Sequence, residues 1–190
     1  LTRQGIPAAI TEAYPARVGF QAGFLVPVNS TATRDILIGG FLDYSSTGGR
    51  VHYADYSGEV RNDHILSAYS IGTTLSGRIR NLKPLTLDFG LGARLVISKF
   101  KNEFSSTIGT STNNLVLDFS STGVGFEPGI APSVSIFGAN LGATVSYMFY
   151  IPTRLNSDQF KDAYLTFNRG GEVTIDWSGP RLGVIVGYDL

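Results

Sequence analysis

The sequence predicts an all-β protein: a closed, antiparallel transmembrane β-barrel of about eight strands connected as an up-and-down meander. The first observation is the alternation in residues 141–151, where every odd position is apolar and the even positions are mostly small or polar. Side chains alternate between the two faces of a strand, so this segment has one apolar face. The second observation is its length, because about ten residues let a tilted strand cross the hydrocarbon core of a bilayer.

The composition of the two faces separates a membrane barrel from a soluble one. In residues 85–98 the odd positions are all apolar, whereas the even positions include Gly, Thr, Ser, Asp88 and Arg94. Such a polar face would make a poor water-excluding core, and the apolar face would be an aggregation hazard in water. An outer-membrane barrel instead places the apolar face in lipid. The alternative that remains open is a soluble eight-stranded barrel of the lipocalin type.

The elements follow from the alternation in chain order. Residues 1–16 contain two prolines and no clear period, so they are assigned to an N-terminal extension, and residues 17–190 are assigned to the barrel. Strands are predicted at residues 17–28, 36–44, 50–56, 65–80, 85–100, 124–137, 141–151 and 181–190. Gly, Ser, Asn and Pro predict turns at residues 46–49 and 81–84.

Two features qualify this assignment. Pro128 and Pro132 each remove a ladder donor, which predicts a bulge or a broken ladder in the sixth strand. Residues 101–123 and 152–179 are long connections, while the links after the fourth and sixth strands are short. Outer-membrane barrels have short periplasmic turns and longer outer loops. The long connections fall at the outer side if both chain ends are periplasmic.

Composition argues against several classes of function. The 15 Lys+Arg balance 15 Asp+Glu, which argues against a nucleic-acid surface. The chain has no Cys and two His, so we expect no disulfide, no metal and no cofactor. It has no apolar run long enough for a transmembrane helix and no charged-then-apolar leader. If the protein is exported, this is the mature chain, without its signal peptide.

The order of these segments resembles the family of small eight-stranded outer-membrane barrels, of the OmpA-like and OmpX-like kind, over roughly residues 17–190. Residues 182–190 carry the alternation and Tyr188, but members of that family usually end on an aromatic residue, whereas this chain ends on Leu190. The resemblance implies a bacterial outer membrane. Its lipid and lipopolysaccharide would surround the barrel, and other outer-membrane proteins are candidate partners.

Four charged residues fall on the predicted inner face: Arg78, Asp88, Arg94 and Glu127. The turn at residues 81–84 places Arg78 roughly opposite Asp88, and Arg94 is able to meet Glu127 across the fifth and sixth strands. Charges in a low-dielectric interior must be paired, so we expect structural ion pairs that fill a closed lumen. The alternative is a polar conduit or gate, for which eight strands leave little room.

The second long loop is the candidate contact surface. It combines Phe160, Tyr164, Phe167 and Trp177 with charged residues and is predicted to project above the membrane, where it can meet a partner. The predicted function is therefore non-enzymatic: a structural or partner-binding barrel, with an accessory subunit of a larger outer-membrane assembly as one form.

Two alternatives remain open from the sequence. His52 and His64 lie near Ser67 and acidic residues, which are the residue types of a lipid-modifying enzyme that transfers or removes acyl groups. A narrow passage for small or apolar solutes is the other alternative, since many glycines fall on the inner face and widen the lumen.

Overall fold

The structure is a computed structural model that describes residues 9–12, 17–80, 82, 84–137, 139–166 and 170–188. Its elements are the strands β1 Ala9–Glu12, β2 Val18–Ser30, β3 Arg34–Asp55, β4 Gly58–Ile79, β5 Leu85–Ile108, β6 Ser111–Ile136, β7 Ala139–Tyr150, β8 Thr153–Arg154, β9 Asn156–Ser157, β10 Thr174–Ile175 and β11 Gly179–Tyr188. None of the described residues belongs to a helix long and apolar enough to cross a membrane.

One antiparallel sheet contains nine of these strands. β2 to β7 pair in chain order, and β11 pairs with β7, so the sheet is an up-and-down meander. β1 pairs with β3 on the same edge as β2, and the two-residue β9 pairs with β6. The predicted all-β class, the antiparallel meander and the number of about eight strands (β1 to β7 with β11) are confirmed.

Four neighbouring strands are much longer than the sequence predicts. β3 to β6 have 22, 22, 24 and 26 residues, whereas β2, β7 and β11 have 13, 12 and 10. The predicted turn at residues 46–49 is wrong, because β3 continues through it in register with β4. The predicted loop at residues 101–123 is wrong as well, because it is a β5–β6 hairpin that turns at residues 109–110. Ladder pairing with neighbours overrides the local preference of Ser, Gly and Asn for turns.

The two ends of the sheet differ. We call the end with the connections 31–33, 80–84 and 137–138 the turn end, and the opposite end, where β3–β4 and β5–β6 form their hairpins, the loop end. Because the predicted strands 36–44 and 50–56 are one strand, β2 starts at the loop end and β11 finishes at the turn end. The predicted topology places the start of the first strand and the end of the last strand on the same side. The structure places them at opposite ends, so this prediction is wrong.

Both prolines of β6 interrupt its ladder with β7. β6 pairs with β5 without a break, but its pairing with β7 skips residues 127–128 and 131–132 and then resumes in the same register. A proline has no N–H to donate, so a break at each position follows directly. The predicted broken ladder is confirmed, and it occurs without a bulge.

The inner face is closely packed around Phe41. The side chain of Phe41 lies over Gly72, where an added Cβ would meet the ring Cζ at 2.4 Å and the carbonyl oxygen of Ala93 at 2.5 Å. The guanidinium of Arg94 lies 4.7 Å from the centre of the same ring, a cation–π contact. The absence of a side chain at Gly72 therefore leaves room for the Phe41 ring on the inner face of the sheet.

We predict that Gly72→Ala destabilises the fold by about 1–3 kcal/mol, because the methyl group overpacks the Phe41 site. Gly92→Ala is the matched control: it lies on the next strand, and its Cβ would be 3.7 Å from the Phe41 ring, an ordinary contact. Its stability should change by less than about 1 kcal/mol. Urea unfolding followed by circular dichroism measures both, and equal losses would contradict the packing argument.

Candidate functional site

The centre of the inner face holds a cluster of four charges, the central charge cluster: Asp43 on β3, Arg94 on β5, Glu127 on β6 and Arg181 on β11. Arg94 bonds to both carboxylates, Asp43 and Glu127. Arg181 does the same, with its Nη2 2.9 Å from Asp43 Oδ2 and its Nη1 3.1 Å from Glu127 Oε2. Ser146 donates a further hydrogen bond to Glu127.

This cluster is neutral, and two of its four side chains are almost fully buried. The side chains of Arg94 and Asp43 are 2% and 3% exposed. Two guanidinium groups and two carboxylates alternate, so each charge in this low-dielectric site has partners of opposite sign. Because Asp43 and Arg181 come from strands near opposite edges of the sheet, their contact holds the sheet in a curl.

The ion pairs predicted from the sequence are both present. Arg78 donates two hydrogen bonds to Asp88, at 2.8 and 2.9 Å, near the turn end. Arg94 bonds to Glu127 in the central charge cluster. The sequence interpretation missed Asp43 and Arg181. The alternation carried a signal for both, since each is a charged residue on the non-apolar positions of its strand.

At the loop end a segment folds inward instead of projecting. We call residues 151–166 with 170–178 the cap. The cap residues Leu155, Ile175 and Trp177 are 3–5% exposed and join a core cluster with Ala68, Val96, Phe119, Met148 and Tyr150. The indole N–H of Trp177 donates to the Ser98 hydroxyl at 2.8 Å. The cap therefore packs against the inner face of the sheet, on the loop-end side of the central charge cluster.

The residues predicted to form a contact surface differ in their exposure. Trp177 was predicted to lie on it, but its ring is buried in the interior because its apolar body and N–H both find partners there. Phe160 and Tyr164 are exposed, at 62% and 43%. Phe167 lies outside the described residues.

A small apolar cavity of about 260 Å³ lies under the cap. Its lining includes Leu66 and Phe100 from the sheet with Leu155, Leu165 and Val173 from the cap. Its volume is below the usual range of ligand pockets, about 300–1,000 Å³. We therefore treat it as an imperfection in packing between the cap and the sheet.

The two histidines lie near a carboxylate and an aromatic ring, respectively. His52 Nε2 lies 3.0 Å from Glu59 Oε1, an exposed carboxylate rather than a hydroxyl. His64 packs against the Phe100 ring, with 5.6 Å between ring centres. Burial lowers the pKa of His64, and Asp63 partly offsets that effect. Among the described residues, no group of three or more His, Asp or Glu is placed to hold a metal ion.

Comparisons of this chain with protein-family models, with curated proteins and with solved structures found no match.

We predict that Arg94→Met destabilises the fold by about 3–5 kcal/mol, because Asp43 and Glu127 are left to share one arginine in a buried site. Arg78→Met is the control, and it should cost less because the side chains of its pair are 18% and 17% exposed. Adding Glu127→Met to Arg94→Met restores neutrality and should recover part of the loss. Urea unfolding tests all three, and equal losses from the two arginine variants would refute a special role for the cluster.

We predict that Ser98→Ala loosens the cap, since the buried indole N–H of Trp177 loses its acceptor at a cost of about 1–3 kcal/mol. Trp177 is the only tryptophan, so its emission reports this directly. The emission should shift to the red and become quenchable by acrylamide. Ser111→Ala, at the exposed tip of the β5–β6 hairpin, is the control. An unchanged emission spectrum in Ser98→Ala would contradict the assignment.

Proposed function

We propose that this chain is an integral β-barrel of the bacterial outer membrane, non-enzymatic, with a closed interior and a partner-binding surface at the loop end. The observation that carries this proposal is an apolar belt on the outer face of the sheet. Lipid and lipopolysaccharide would contact the belt, and other outer-membrane proteins are the candidate partners.

The belt runs continuously across β3, β4 and β5. Strand register aligns Tyr44, Tyr69 and Ile97 in its last row towards the loop end. Eight residues away on each strand, the same register aligns Ile36, Gly77 and Phe89 towards the turn end, so the belt spans nine residues of each strand. The large apolar residues of the belt on β3 to β7 are 41–61% exposed: Ile36, Ile38, Leu42, Tyr69, Ile71, Leu75, Phe89, Leu91, Leu95, Ile97, Val124, Phe126, Ile130, Leu141, Val145, Tyr147 and Phe149. About nine to eleven residues is the length of a tilted strand in a bilayer.

The belt gives way to charged residues towards the loop end. Beyond its last row the outer face carries Arg50, Asp63 and Glu103 in one register row. Arg50 and Arg61 both pair with Asp63, and these contacts lower the pKa of that carboxyl to about 2. The change from an apolar to a charged outer face over the six residues that follow the last row on three strands is expected near a membrane surface.

Aromatic rings gather at the same margin of the belt. Phe20, Tyr44 and Tyr69 form a contact chain on three neighbouring strands, with ring centres 5.7 and 5.1 Å apart. Aromatic residues form girdles at both interfaces of outer-membrane barrels. This placement favours insertion over a soluble lipocalin-like barrel, because the latter would turn its large apolar side chains inward.

A wide groove on the outer face also suits lipid. Three consecutive residues from each of β2 to β6 line it, and its volume is about 850 Å³. Gly40, Thr73 and Ala93 form its floor in one register row, between the larger Phe24 and Phe126. Its lining is almost wholly apolar, so acyl chains rather than a polar solute match its chemistry.

The interior and the loop end support the other two parts of the proposal, the closed interior and the partner-binding surface. The central charge cluster and the cap favour a closed interior over a passage for solutes. The hairpins of β3 to β6 extend past the belt at the loop end and present Tyr56 and Ile108 as exposed side chains near their tips, while Phe160 and Tyr164 are exposed on the cap. Exposed aromatic and apolar residues on a rigid support are typical of contact surfaces.

We predict that Leu91→Arg destabilises the chain in phosphatidylcholine vesicles by about 2–4 kcal/mol, because an arginine near the bilayer midplane must be desolvated. Thr107→Arg is the matched control on the outer face of the same strand beyond the belt, and it should have almost no effect. The measurement is equilibrium unfolding in urea with vesicles present. In a soluble protein both are surface changes, so equal effects within about 0.5 kcal/mol would contradict insertion. A monodisperse monomer in buffer without detergent would overturn the proposal.

A further inference from the structure

The two outermost long strands of the sheet have no partner on one side. Among the described residues, β2 pairs only with β3, and β11 pairs only with β7. Outward side chains on both strands are highly exposed, with Val18 at 76% and Val184 at 84%. Within the part of the chain that the structure describes, the backbone groups on these two edges have no ladder partner. We call the gap between β2 and β11 the seam.

The direction of the strands defines what fits the seam. Each neighbour from β2 through β7 to β11 is antiparallel to the one before. The path from one edge to the other contains seven strands, β2 and β11 included, so these two edge strands run in the same direction. An antiparallel ladder on both edges needs one added strand that runs from the turn end to the loop end.

The seam is held in place without such a strand. Arg17, just before β2, donates hydrogen bonds to the carbonyl oxygens of Trp177 at 2.8 Å and Ser178 at 3.0 Å, just before β11. On the inner side, Arg181 of β11 reaches Asp43 of β3 at 2.9 Å. These side chains join the two edges at the loop end and at the level of the central charge cluster, while the backbones stay unpaired.

We propose that the seam is a docking slot for one β-strand donated by a partner polypeptide. This inference rests on the proposed membrane insertion, because unpaired backbone groups cost several kcal/mol each in hydrocarbon. Lipid has no hydrogen-bond donors in its acyl chains and leaves that cost in place. A second copy in the same orientation offers only edges that run parallel to those it would meet.

The chemistry of the donated strand follows from its neighbours. Its residues facing lipid continue the apolar belt. Its inward residues are small or polar, because they lie beside Gly19 and Gly23 of β2 and Gly183 and Gly187 of β11. About ten residues match the length of β11. Addition of such a strand is β-augmentation, in which main-chain hydrogen bonds supply affinity and alternate side chains supply specificity.

A synthetic copy of β7 (Ala139–Tyr150) is a suitable probe, because it alternates in the required way and already pairs antiparallel with the other edge of β11. The copy carries a benzophenone in place of Val145 and is added to the full chain in phosphatidylcholine vesicles. After illumination, mass spectrometry should find adducts on β2 and β11 and none on β5, whose two edges are paired. A copy with Ala143→Pro and Tyr147→Pro, which removes two ladder donors, should lose the adducts.

Insertion is read separately from docking. Leu91→Cys, in this cysteine-free chain, should be protected from a membrane-impermeant maleimide. If it is not protected, the proposed membrane function fails, whatever the peptide does. If it is protected, adducts spread evenly over β5 and the edges, or no adducts at all, overturn the docking slot alone.

A separate cross-linking experiment identifies the source of the natural strand. The chain with benzophenone at position 184 is illuminated in the membrane of its own host. An adduct to a different polypeptide that the β7 copy displaces is the expected result. A cross-link within the same chain, an adduct of twice its mass or the absence of any adduct would overturn donation by a partner.

Discussion

The central charge cluster is the constraint on which the rest of this structure depends. Arg94 and Asp43 are almost fully buried, and buried charges are tolerated only when they are paired and hydrogen-bonded. Here the pairing needs side chains from β3, β5, β6 and β11 at one point. A flat sheet cannot bring β3 and β11 together, so the curl of the sheet and the pairing of the charges require each other. A charged interior then leaves the outer face as the place for large apolar side chains.

The placement of charged side chains inside and apolar side chains outside also distinguishes two parts of the molecule, the belt and the strand extensions beyond it. Within the belt, the outer face is apolar and the inner face is mostly small or polar, with Leu37, Phe41 and Val96 as buried exceptions. Beyond it, β3 to β6 continue for many residues with polar or charged groups on the outer face, such as Arg50 and Glu103. There the apolar residues move inside, where Phe100 and Phe119 pack in tilted contact. The cap covers this inner apolar surface with Leu155, Ile175 and Trp177. Burial of these apolar side chains stabilises the cap against the end of a polar interior.

Local structure was predictable from the sequence. The predictions failed where contacts with residues distant in the sequence determine the structure. Strands inside the belt were predictable because alternation marks each of them, and Arg78–Asp88 was predictable because one hairpin brings both together. Residues 46–49 and 101–123 were interpreted as turn and loop, since Gly, Ser and Asn favour turns; their inclusion in strands depends on ladders with distant segments. Asp43 and Arg181 meet across the curl of the sheet, 138 residues apart. Trp177 was assigned to the surface, because no residue near it in the sequence indicates that Ser98 accepts a hydrogen bond from its indole N–H.

The merging of two predicted strands into β3 has a consequence larger than one misplaced turn. With eight spanning strands, the first and last would run in opposite directions and could pair antiparallel with each other. With seven, they run in the same direction, and the sheet cannot close on itself with the ladder that it uses everywhere else. This parity depends only on the number of strands and on their antiparallel pairing, not on any side-chain contact. Because Arg17 and Arg181 link the two edges through side chains, the curl does not depend on a backbone ladder between them, whereas an antiparallel closure would require one added strand.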